Sequence, residues 1–153
     1  MQENPAKSKE MITRISELLR SSLLSGKTNF VTLEQEVETV ENFLEISKIQ
    51  YEDRLNFRLD ISPDTKSIQI PPMILQMLVE NAVKHGISVL KDGGEIDIKT
   101  FINNNNLHLI VKNTGSISQN ENSTKIGLKN IEERLKLLFD DKASFKLSEE
   151  NNE

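Results

Sequence analysis

Asn81, Lys84 and His85 stand three and four residues apart in the run Leu78-Val79-Glu80-Asn81-Ala82-Val83-Lys84-His85-Gly86. On a helix that spacing places all three on neighbouring ground. An Asn side-chain oxygen is a hard ligand suited to Mg²⁺, and Lys and His can approach the phosphates that such a metal bridges. The set describes a nucleotide-phosphate site. A polar residue on a helix flank, with Lys84 and His85 as its solvated edge, accounts for the same residues equally well.

Two further segments carry related chemistry. In Val111-Lys112-Asn113-Thr114-Gly115 a strand ends on a polar residue whose side chain can bond the exocyclic amine of a purine, and Gly115 permits close backbone approach. An ordinary strand-to-loop turn uses the same residue types, and alone is the commoner case. In Lys125-Ile126-Gly127-Leu128-Lys129-Asn130, preceded by Ser123 and Thr124, a glycine stands at an expected helix start, where free amides bind phosphate. A flexible helix entry explains that glycine as readily. The three segments gain meaning from occurring together and in this order.

The elements that must position them follow from periodicity. Residues 6 to 24 place Ile12, Ile15, Leu18, Leu19 and Leu23 at three- and four-residue steps, an amphipathic helix stopping near Ser25-Gly26. Thr32 with Gln35 forms a capping box opening a second helix, with Leu33, Val37, Val40 and Leu44 inward. Residues 54 to 61 alternate as a half-buried strand, and Ile68-Gln69-Ile70 is a short second one. After Pro71-Pro72 comes a helix with Leu75, Leu78, Val79, Ala82 and Val83 inward, ended by Gly86. Residues 95 to 102 and 107 to 112 pair as an antiparallel hairpin, residues 116 to 125 form a loop, a last helix carries Leu128, Ile131, Leu135 and Leu138, and residues 143 to 147 form a closing strand. Alternating strands and one-striped helices predict an α+β chain: a two-layer α/β sandwich whose mostly antiparallel mixed sheet is covered on one face by helices, behind an N-terminal helix.

Composition narrows the class of partner. The 153 residues are 36% hydrophobic and 28% charged, which fits one ordinary globular core. Without cysteine there is no disulfide framework, Cys zinc site or thiol nucleophile, which suits a reducing compartment such as the cytosol. No run approaches the roughly 20 apolar residues that cross a bilayer. A formal charge of -5 disfavours general attraction to nucleic acid.

Together the segments resemble the boxes of the GHKL ATPase fold that histidine kinases share with type II topoisomerases. Leu78 to Gly86 resembles the N box, Val111 to Gly115 the first glycine box and Lys125 to Asn130 the second. The lead-in Pro71-Pro72-Met73-Ile74-Leu75-Gln76 resembles the Lyt-type sensor histidine kinases more particularly. The resemblance implies ATP and Mg²⁺ as cofactors. Asn81 would hold Mg²⁺, Lys84 and His85 would lie at the phosphates, and Asn113 with Gly115 would meet adenine. Gly127 and Leu128 would offer backbone amides to phosphate, and residues 116 to 125 would be the ATP lid, with Ser123 and Thr124 among its ATP-binding residues. Glu80 would polarise an attacking imidazole, although an exposed carboxylate kept for solubility is as good a reading.

By the same resemblance residues 1 to 30 are the second helix of a dimerisation and phosphotransfer hairpin with its linker. Residues 31 to 153 are then the ATP-binding catalytic domain, short of its last strand. The expected partners are a second copy in the parent protein and a response regulator of the LytTR type, with no nucleic acid. The expected location is a cytoplasmic domain of a protein in the bacterial inner membrane. Departures from the family pattern are Asn113 in place of Asp, Lys125 in place of the second box's first Gly, and no further Gly after Gly115. No His precedes Ile12, so no phosphoacceptor is expected in this chain; His85 falls in the presumed site and His108 on the open face of a strand. A degenerate, non-catalytic nucleotide-binding or dimerisation scaffold is the alternative, and an anti-sigma serine kinase or ATP-driven clamp is disfavoured by the Pro71-Pro72 lead-in.

Overall fold

The structure is a computed structural model that describes residues 5–25, 30–116 and 122–150, excepting the side chains of residues 9, 17–25 and 122–125. Helix α1 (Pro5–Ser25) is followed by the short strand β1 (Val31–Thr32) and helix α2 (Leu33–Tyr51). Thr32 caps α2 as a full capping box: its Oγ1 accepts from the Gln35 amide at 3.3 Å, and Gln35 Oε1 accepts from the Thr32 amide at 3.0 Å. Arg14 of α1 donates to Asn42 Oδ1 of α2 at 3.1 Å, so the two helices lie side by side. Ile12 and Ile15 are exposed, whereas Leu18, Leu19 and Leu23 of the same stripe lie outside the described side chains.

Strand β2 (Leu55–Ile61) leads into β3 (Gln69–Ile70), helix α3 (Ile74–Ala82), a π-type turn (Val83–Ile87), and the strands β4 (Gly94–Asn103) and β5 (Asn106–Asn113). The main sheet has the order β2-β4-β5, with β2 parallel to β4 and β4 antiparallel to β5. The fold is therefore α+β with a mixed sheet. β3 does not join it but pairs antiparallel with β1, a strand the hydropathy pattern does not announce. The expected hairpin forms around Asn104 and Asn105, whose φ of 49° and 64° describe the left-handed two-residue turn that suits the twist of paired strands.

One face of the sheet is covered. Leu33, Val40 and Leu44 of α2 and Leu75, Val79 and Ala82 of α3 bury against Leu55, Ile96 and Ile98 of the strands, with Val37 half-buried beside them. Helix α4 (Asn122–Phe139) packs on the outer side of α3, where Leu128 and Ile131 meet Ile74 beside Met77, Leu78 and Phe145. The other sheet face is polar: Arg58 pairs with Asp97 at 3.0 Å and Lys99 with Asp60 at 3.4 Å. His108 stacks flat on Phe101 there, ring centroids 4.8 Å apart, as a cross-strand pair.

Three expected boundaries are corrected. Residues 143 to 147 form no strand: Phe145 is drawn into the Ile74 cluster, Leu147 stays exposed, and the segment makes no ladder with the sheet. The last helix begins at Asn122, so residues 122 to 125 are helical rather than loop; residues 117 to 121 of the presumed lid lie outside the described residues. Gly86 does not stop α3 but sits inside the wider turn, where Ser88 donates its amide to Val83 O at 3.0 Å.

Candidate functional site

The π-type turn is where the sequence motif becomes geometry. α3 carries Glu80, exposed, and Asn81, half-buried; the turn carries Lys84, exposed, and His85, half-buried. Single π turns inside helices recur at functional sites because they redirect side chains that a regular helix would keep in register. This one is fixed at its far end by Arg54, which donates to Leu90 O at 2.9 Å and Ile87 O at 3.5 Å. Gly93, at φ +75°, passes so close to the Arg54 carbonyl that no side chain fits.

Gly86 closes the turn onto the end of β5. A Cβ at Gly86 would lie 2.5 Å from Asn113 Nδ2 and 2.7 Å from Thr114 O. Gly115, at φ +121°, lies against the same turn, where a Cβ would come 3.4 Å from Gly86 Cα and 3.5 Å from His85 O. Two glycines thus allow two backbones to touch, and they bring the His85-Gly86 part of the turn to Asn113 and Thr114. Thr114 anchors the strand end: its amide donates to Glu95 O at 3.0 Å and its Oγ1 accepts from the Glu95 amide at 3.1 Å. Asn113 Nδ2 donates to Thr114 O at 3.0 Å, which orients the exposed amide side chain.

The second glycine segment is placed differently. Gly127 and Leu128 lie beyond the first turn of α4, so their amides face carbonyls one turn back instead of standing free as at a helix start. Leu128 is buried against Ile74, toward the beginning of α3 rather than its Asn81 end. The free amides of the helix start fall instead on residues 122 to 125, which include Ser123 and Thr124. A Cβ at Gly127 meets nothing within 4 Å. Gly127→Ala is therefore expected to raise the unfolding free energy by about 0.5–1 kcal/mol, read as a higher urea midpoint. A lower midpoint would show that this residue is not helical in solution.

Sequence reasoning passed over the groups that seat α3. Met73 precedes the helix in the left-handed conformation (φ 69°) and offers no side-chain cap. The cap comes from α2: buried Glu36 accepts from the Met73 amide at 2.8 Å and from the Gln76 amide at 3.4 Å. Burial pushes the Glu36 carboxyl above its usual range, against the opposing pull of the backbone amides and Arg134. Arg134 of α4 donates to Pro72 O at 2.6 Å, and Gln76 Nε2 donates to Glu80 Oε1 at 2.8 Å.

Among the described residues no cluster of three or more His, Cys, Asp or Glu could hold a metal. A cation at Asn81 would need its remaining ligands from phosphate oxygens and water, the usual arrangement for Mg²⁺. No helix among the described residues is long and apolar enough to cross a membrane.

The Histidine kinase family model matches residues 1–55. The sensor protein LytS of Staphylococcus saprophyticus is 31% identical over 154 residues, covering 92% of this chain. The chain belongs to the LytS-type sensor histidine kinases. A second relative, the sensor histidine kinase/phosphatase LytS of Staphylococcus aureus strain MRSA252, is 29% identical over 150 residues, or 89% of the chain. The chain spans about a quarter of these LytS relatives, 26% in each case.

Proposed function

We propose that this chain is the Mg-ATP-binding catalytic part of a sensor histidine kinase, presenting the γ-phosphate to a histidine carried on a dimerisation hairpin. The observation that supports the reading is the seating of the His85-Gly86 turn on Asn113-Thr114-Gly115, which joins the segment carrying Lys84 and His85 to the end of β5. The side-chain types and the glycine-lined contact fit ATP and Mg²⁺.

In this reading Asn81 supplies an oxygen to Mg²⁺, and Lys84 and His85 face the phosphates. Asn113, its Nδ2 already held by Thr114 O, turns Oδ1 toward the adenine amine, and Gly115 leaves room for the ring. Ser123 and Thr124 border the phosphates on the lid side from the first turn of α4, while Gly127 and Leu128 stand a turn deeper, where Leu128 seats the helix on Ile74. Bound Mg²⁺ neutralises charge on the phosphate oxygens; the protein itself contributes position and a preorganised field. Glu80 orients the imidazole of the incoming histidine, which attacks the γ-phosphorus in line as ADP leaves.

Residues 1 to 30 are then the second helix of the hairpin with its linker, and residues 31 to 153 the catalytic domain. The partners are a second copy of the parent protein and a response regulator of the LytTR type, whose aspartate receives the phosphoryl group. The domain works on the cytoplasmic side of a bacterial inner membrane.

Titration calorimetry of the chain with Mg-ATP tests this. Saturable, Mg-dependent binding is expected, weakened about tenfold or more by Asn81→Ala through loss of a metal-held contact. A folded parent chain that takes up no nucleotide overturns the reading. Asn113 in place of Asp and Lys125 in place of Gly favour the degenerate scaffold as the second reading. It is distinguished by nucleotide binding without phosphotransfer to an added histidine-bearing hairpin.

A further inference from the structure

Three elements meet at the turn that starts α3. Glu36 reaches from α2 to the Met73 and Gln76 amides, and Arg134 reaches from α4 to the Pro72 carbonyl. Glu36 is 2% exposed. A charged group in that position is a poor choice for stability alone, because an apolar residue of similar volume is often as stabilising or more so. Its geometry, however, is specific. Two carboxylate oxygens hold two amides of one helix turn, and the left-handed Met73 has no other cap. Gln76 extends the arrangement: its amide is held by Glu36 while its side chain holds Glu80.

We propose that Glu36 is a positioning residue of the nucleotide site, fixing the first turn of α3 against the counter-hold of Arg134 and so setting where α3 presents Asn81 and, through Gln76, Glu80. The inference rests on the nucleotide-site reading above. Asn81 lies about 10 Å along the helix axis from Ile74, so a tilt of about 6° at the seat moves it by about 1 Å. Displacements of that size are enough to cost a reaction about a hundredfold. Because α2 is also the helix against which α1 lies, Glu36 is a direct polar link between the lead-in helices and the nucleotide helix.

The test uses the full chain and two readouts. Amide signals are assigned by two-dimensional NMR for the parent, Glu36→Ala, Glu36→Asp and Glu36→Gln, and Mg-ATP affinity is measured for each at a temperature where all are folded. In Glu36→Ala, and in Glu36→Asp with its shorter reach, the signals of Glu80 and of the Asn81 side chain are expected to move while those of β4 and β5 stay in place. Affinity is expected to fall about tenfold. Glu36→Gln keeps one acceptor at the same reach and should recover most of both. Should Glu36→Ala not fold, Glu36→Asp and Glu36→Gln decide the matter between them. Unmoved Asn81 and Glu80 signals with parental affinity in folded variants overturn the proposal. If the parent itself binds no Mg-ATP, the nucleotide reading fails separately, and the NMR shifts alone decide whether Glu36 positions α3.

Discussion

Gly86→Ala is expected to lower the unfolding free energy by about 2–3 kcal/mol and to abolish whatever binding the Asn81–Asn113 site supports. The added methyl would stand 2.5 Å from Asn113 Nδ2 and 2.7 Å from Thr114 O. The Asn113 side chain is exposed and can rotate away, but Thr114 O belongs to a backbone that cannot yield cheaply. Thr114 is tied to Glu95 through both its amide and its hydroxyl, and its side chain fills the space over Gly94. Movement must therefore come from the π-type turn, which carries Lys84 and His85 and is pinned beyond by Arg54. Relief on either side separates the two halves of the site. A urea titration beside a Mg-ATP titration checks both effects, and an unchanged urea midpoint would mean that turn and strand end do not touch in solution.

That contact also shows how far the sequence could be read. The Thr32–Gln35 capping box, the β4–β5 hairpin and the apolar stripes of α2 and α3 were legible because each is set by neighbouring residues: a side chain bonding an amide three positions away, or a period of 2 or 3.6. The partner of β2 was not legible. Alternation says which face of a strand is buried but not that it lies parallel to β4. Gly86 was read as a helix stop because glycine has that local meaning, whereas its place here is dictated by Thr114, distant in sequence. Ser123 and Thr124 lie inside α4, a turn earlier than the glycine suggested, and the alternation of residues 143 to 147 was not matched by a ladder. Of the candidate site, Asn81, Lys84, His85 and Asn113 were singled out by residue type and spacing. Glu36 was missed although a signal existed: it falls on the same stripe as Leu33, Val40 and Leu44, where an acid has no reason to stand unless something across the interface receives it.

The acidity of Glu36 yields a test of that interface without any nucleotide. Burial is the largest influence on the carboxyl and raises it from a usual value near 4.5, with the Met73, Gln76 and Leu75 amides and Arg134 opposing. A carboxyl whose folded value lies above its unfolded one binds its proton more tightly in the folded chain, so folded protein takes up protons relative to unfolded. Its contribution to stability is therefore complete below about pH 4.5 and is lost as pH rises through the higher folded value. Glu36→Gln has no such titration. The advantage of the parent over Glu36→Gln is expected to be greatest in acid and to shrink toward neutral pH, which chemical denaturation of both chains across that range measures. Glu36→Ala, which leaves the Met73 and Gln76 amides without their acceptor, is expected to cost about 2–3 kcal/mol. If the parent instead gains on Glu36→Gln as pH rises, Arg134 and the helix amides outweigh burial, and the carboxylate at this joint is a net stabiliser in its charged form.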